Sequence, residues 1–99
     1  MVNLMIDNLQ NDLKRVINLY KEKPYLPFWG EIFYILETFK KELNQNTQSD
    51  LFLYKTKSSV SVFYRPIDDR FCIALPEFNL LLTQEEFIDN LLQGRFWPN

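Results

Sequence analysis

Residues 51–75 read LFLYKTKSSVSVFYRPIDDRFCIAL, and the architecture follows from their rhythm. Three short runs, Leu51 to Thr56, Val60 to Arg65 and Phe71 to Leu75, are rich in the aromatic and β-branched residues that suit a pleated, half-buried surface. Lys57-Ser58-Ser59 and Pro66-Ile67-Asp68-Asp69 separate them. Connections this short join antiparallel neighbours, since a parallel crossover needs a dozen residues or more. The stretch predicts an antiparallel meander. Alternation along the middle run sets Val60, Val62 and Tyr64 on one face and Ser59, Ser61, Phe63 and Arg65 on the other. The second, more polar face is expected to meet solvent or a partner. Pro76 closes the third run, and Phe78 to Leu82 offers a short fourth strand.

Upstream the period changes from two to between three and four. Val2, Ile6, Leu9, Leu13, Val16 and Tyr20 form one stripe, with Asp12, Lys14 and Arg15 between them, which predicts an amphipathic helix over 2–21. Fewer than three heptads favour burial of that stripe in the domain over a coiled-coil seam. Lys23-Pro24-Tyr25-Leu26-Pro27 then breaks the helix. From Phe28 to Leu43 a second helix is apolar around most of its girth. Phe28, Ile32, Ile35, Phe39 and Leu43 form one stripe and Trp29, Phe33 and Leu36 another. Such a helix is either sandwiched between the first helix and the sheet or lends one side to a partner. The polar segment Asn44 to Asp50 reads as a connector. Downstream, Thr83-Gln84-Glu85-Glu86 is a capping box that opens a third helix carrying Phe87, Ile88, Leu91 and Leu92, and Gly94 is placed to close it. The tail Arg95 to Asn99 holds two large aromatics and is expected to pack back on the body. The expected fold is one α+β domain over residues 1–99. Two N-terminal helices pack on a three- to four-stranded antiparallel meander, followed by a C-terminal helix, in the order α-α-β-β-β-(β)-α.

Composition narrows the chemistry. The chain has no histidine, the commonest general base and metal ligand, and its single cysteine, Cys72, sits in the apolar run F-C-I-A-L, where a buried thiol is the expectation. Only Gly30 and Gly94 are present, so no glycine-rich phosphate loop can be written. Asp68-Asp69 reads as turn chemistry, and Glu85-Glu86 as charge placed against a helix dipole, ahead of any metal or acid–base role. No cofactor, no metal and no catalysis are expected. One cysteine excludes an internal disulfide framework; with no signal-peptide pattern at Met1 to Gln10 and no apolar run near the ~20 residues of a membrane span, a cytoplasmic setting is expected.

Two features point to binding. Aromatics make up 16% of the chain, more than so small an interior hides easily, and partly exposed tyrosine or tryptophan anchors interfaces. Charge is also uneven: within 66–94, Asp68, Asp69, Glu77, Glu85, Glu86 and Asp89 face one base, Arg70. A negative field there repels nucleic acid and attracts a basic protein, unless it serves only solubility. In size and charge the whole chain is similar to the immunity proteins of bacterial toxin systems, a likeness of general make-up that carries over no residue. It implies a non-enzymatic inhibitor that neutralises a toxin, such as a basic nuclease. Asp68, Asp69, Glu85, Glu86 and Asp89 would supply charge, and Tyr64 or Trp97 an anchor. The second reading is a homo-oligomeric structural or adaptor module that pairs, as a homodimer, through the aromatic helix 28–43.

Overall fold

The computed structural model describes residues 2–43 and 48–99, with side chains from Leu4 onward. The two upstream patterns become α1 (Val2–Glu22) and α2 (Trp29–Glu42). In α1 the stripe residues Leu9, Leu13 and Val16 are buried, joined by Ile17, while Tyr20 is half-buried and its hydroxyl donates to the Leu92 carbonyl at 3.0 Å. The side chain of Val2, and residues Asn44 to Thr47 of the expected connector, lie outside the described residues.

Four strands follow: β1 (Leu51–Lys55), β2 (Ser61–Arg65), β3 (Arg70–Ala74) and β4 (Asn79–Leu82), in sheet order β1-β2-β3-β4 with every neighbour antiparallel. The fourth strand, offered by Phe78 to Leu82, is present. The chain then forms α3 (Gln84–Leu92), so the order is α-α-β-β-β-β-α. Thr83 caps α3 as expected: its hydroxyl accepts from the Glu86 N–H at 3.1 Å and the Glu86 carboxylate accepts from the Thr83 N–H at 2.8 Å. Gly94, at φ 86°, takes the left-handed turn that ends the helix.

All three helices lie on one face of the sheet, where Val62, Tyr64, Phe71, Ile73 and Leu82 meet Leu13, Ile32, Leu36, Phe87 and Leu91 in one core cluster. At its centre the rings of Phe71 and Phe87 stack with centroids 4.5 Å apart. The wide apolar arc of α2 is consumed within the fold: α1 and α3 flank it, and Phe39 sets its ring edge-on to Tyr64 of the sheet. The flank on which the homodimer reading relied is therefore largely covered, with Ile32, Ile35, Leu36 and Phe39 buried and Trp29 and Phe33 half-buried and stacked on each other.

Register shifts between Phe52 and Tyr54, and this bulge turns two consecutive residues, Leu53 and Tyr54, into the core. The tail packs back as expected. Trp97 donates its indole N–H to the Leu91 carbonyl at 2.7 Å, Tyr54 donates its hydroxyl to the Phe96 carbonyl, and Pro98 bridges Thr56 beside the free edge of β1. Among the described residues no helix is long and apolar enough to cross a membrane.

Candidate functional site

The four-residue loop Pro66–Asp69 sets Arg65 opposite Arg70, and so brings Phe63 opposite Cys72. The same rung runs outward to Phe52 on β1 and Leu81 on β4. Phe52, Phe63, Cys72 and Leu81 therefore form one apolar row across all four strands, on the face that carries no helix. Phe52 and Leu81 are each 45% exposed, and the rings of Phe52 and Phe63 meet edge-on at 5.6 Å. The flanking rungs are mainly polar, Lys55, Ser61 and Asn79 with Ala74 on one side, Arg65 and Arg70 on the other. An apolar strip with a polar margin is the general anatomy of a protein interface.

Cys72 is buried, as expected, but lies outside the core cluster: it sits in this row, between its rung neighbours Phe63 and Leu81. Burial first, with the nearby Asp50 adding to it, pushes its thiol above the ordinary value, so the protonated and unreactive form is held.

The anticipated site residues are partly brought together. Strand β3 pairs with β4 up to Phe71 and Leu82, so the β2–β3 turn and the first turn of α3 share one end of the sheet. There Asp69 and Glu85 line a cleft of about 320 Å³ with Glu37, Lys40 and Gln84. Each acid of the turn already has a basic neighbour. Arg65 holds Asp68 with two hydrogen bonds, of 3.2 and 2.9 Å, and the Lys40 ammonium donates to Asp69 at 3.1 Å and pairs with Glu37 at 2.9 Å. The uncompensated negative field expected from residues 66–94 is thus reduced, because folding brings in Lys40 and Arg65 from upstream. Burial opposes the Lys40 charge, but the hydrogen bonds to Glu37 and Asp69 outweigh it and push its pKa up. The Lys40 hydrogen bond, then that from Gln84, holds Glu37 below the usual carboxylate value.

Tyr64 is not available as an anchor. It is 5% exposed, its ring packs against Phe39 and Phe71, and its hydroxyl donates to Asp69 at 2.9 Å. The alternation that groups it with Val62 also assigns it to the core, and that signal outweighs any general preference of tyrosine for interfaces. Trp97 is half-buried and lies apart from the acids, beside α1 and the β1–β2 turn. On α3 the carboxylates of Glu85, Glu86 and Asp89 all reach solvent, with Glu85 and Asp89 one turn apart on the same stripe. Glu86 also serves the cap, whose backbone N–H and then hydroxyl hold its pKa down, and Asp89 accepts from the Trp29 indole at 3.0 Å. Glu85 has no such partner among the described residues.

Among the described residues no group of three or more acids or cysteines is arranged to hold a metal ion. Fold and surface together define an α+β meander module with helices on one side of its sheet and an apolar row on the other. No family model, no curated protein and no solved structure matches this chain.

Proposed function

We propose that this chain is a non-enzymatic module that binds another protein on the helix-free face of its sheet. The partner it suits best is a basic protein, in the manner of a small inhibitor that neutralises a toxin in the cytoplasm. The observation that carries the reading is the row Phe52, Phe63, Cys72 and Leu81, whose end residues Phe52 and Leu81 keep apolar surface in water on a face that no helix among the described residues covers. Burying such a row under a partner recovers its hydration cost, while the polar rungs beside it set orientation. A basic partner is favoured by the long-range field of the three carboxylates of α3, a helix that carries no lysine or arginine. Because α3 lies across the sheet from the row, these acids steer the encounter and are not in the contact, whose own margin holds Lys55, Arg65 and Arg70. Charge of one sign hastens encounter more than it tightens the complex.

The test is affinity capture from the native host at two salt concentrations, followed by a binding assay with the purified captured protein. One dominant partner of high pI is expected, whose association slows as salt rises. Light scattering of the chain alone is expected to show a monomer. A stable dimer indifferent to salt would replace this reading with the homo-oligomeric one.

A further inference from the structure

A second concavity, independent of the partner-binding face, lies between α1, the β1–β2 turn and the C-terminal tail. It encloses about 460 Å³, within the size range of small-molecule sites. Lys14 and Lys21 from α1 and Lys57 from the turn line it, and no aspartate or glutamate side chain does, in a chain whose net charge is −2. Among the described residues none of these three lysines takes part in an ion pair. Lysines that line one concave wall with no acidic side chain among them bias the potential in that space to positive.

The rest of the lining is arranged as a seat. Thr56 is 6% exposed, and its hydroxyl is fixed by the Ser58 hydroxyl at 3.1 Å and by the Val60 N–H at 3.2 Å. Ser59, in the left-handed region at φ 64°, closes the turn that presents Lys57 and Ser58. Ile17, Phe96 and Trp97 give the cleft an apolar wall. The Trp97 indole is locked by its bond to the Leu91 carbonyl, and the Lys21 ammonium stands 4.6 Å from the ring centroid, so both are held in place.

From this combination we infer that the cleft binds a small organic anion, with a phosphate or carboxylate group against the lysines and a flat apolar body against the aromatic wall. An anion here meets that positive potential beside a Thr56 hydroxyl and a Trp97 ring that are already held in place.

The test is an NMR titration of the full ¹⁵N-labelled chain, following the Trp97 indole N–H and the amides of Thr56 to Ser58. The probes are phenyl phosphate, benzoate, inorganic phosphate and phenol. Saturable shifts at these positions are expected with phenyl phosphate or benzoate, at a Kd of about 1 mM or tighter. Whichever of the two binds more tightly identifies the anionic group. Lys21→Gln and Lys57→Gln are each expected to weaken that binding about fivefold, the worth of one exposed ion pair. Both alter exposed side chains, and an unchanged amide spectrum elsewhere verifies the fold. The inference is overturned if neither organic anion gives saturable shifts by about 10 mM, if phenol or inorganic phosphate binds as tightly, or if a variant lacking all three lysines binds as the natural chain does.

Discussion

Gln84 shows how a single side chain couples the fold to the acidic cleft. Its amide nitrogen donates to Glu37 at 3.0 Å, which fixes its orientation, and its Oε1 is buried with no partner among the described residues. A buried acceptor left unmade costs about 1–3 kcal/mol, whereas the hydrogen bond to Glu37 returns about 1 kcal/mol. Replacing both polar ends is therefore expected to be neutral or favourable. Gln84→Met should leave the folding free energy unchanged or raise it by up to about 1 kcal/mol, measured by urea unfolding. A loss of about 2 kcal/mol or more would show that the amide makes a bond essential to the free protein. Glu37 gives a prediction in pH. Its carboxylate is held below the ordinary 4.5 in the folded chain, so its contribution is complete above that value and is lost as pH falls through the lower folded value. Glu37→Gln should melt lower than the natural chain above pH 5 and show a flatter acid limb below about 4.5. Thermal melts across that range decide it, and parallel acid limbs would contradict the assignment.

The elements differ in how plainly they were written. The α3 cap was legible because Thr83 and Glu86 meet within four residues, and the α1 stripe because helical period needs no partner to be seen. The meander followed from loop lengths, and the loop Pro66–Asp69 even fixes Phe63 opposite Cys72. The complete apolar row was not legible, since Phe52 enters it only through the bulge at Leu53, which alternation does not announce. The Lys40–Asp69 bond was equally hidden: it joins residues 29 apart through the packing of α2 against the sheet end. The tail illustrates the intermediate case, where two aromatics announced packing without saying where. Trp97 closes on Leu91, and Pro98 with Asn99 bonds along β1, which shields that edge from pairing with another chain. Trp97→Ala is expected to cost about 2 kcal/mol, less than the ~3–5 kcal/mol of a fully buried tryptophan because the ring is only half-covered. It should also raise self-association at high protein concentration. Denaturant unfolding and light scattering read the two effects separately, and a stable monomeric variant would mean the tail is dispensable.

At the scale of the molecule the two faces of the sheet divide the labour. One supplies the core, with Val62, Phe71 and Ile73 fully enclosed, and the other keeps Phe52 and Leu81 half in water at the two ends of one row. If that row existed for stability, charging it would weaken the fold. If it exists for a partner, charging it would spare the fold and abolish binding. Phe52 and Leu81 stand on the edge strands, where a long charged side chain lies along the sheet with its head in solvent. The double variant Phe52→Lys, Leu81→Lys is therefore expected to lose no more than about 1 kcal/mol of stability. Its affinity for the captured partner should fall at least a hundredfold, about 2.7 kcal/mol, because two charges would be buried without partners. Glu85→Gln with Asp89→Asn provides the contrast. It keeps the shape of α3 and lowers only its charge, so it should slow association and flatten the salt dependence while leaving dissociation nearly unchanged. Surface plasmon resonance on the three proteins separates these outcomes. Undiminished affinity in the lysine variant would remove the helix-free face from the function and leave the acids of α3 as the partner's only foothold.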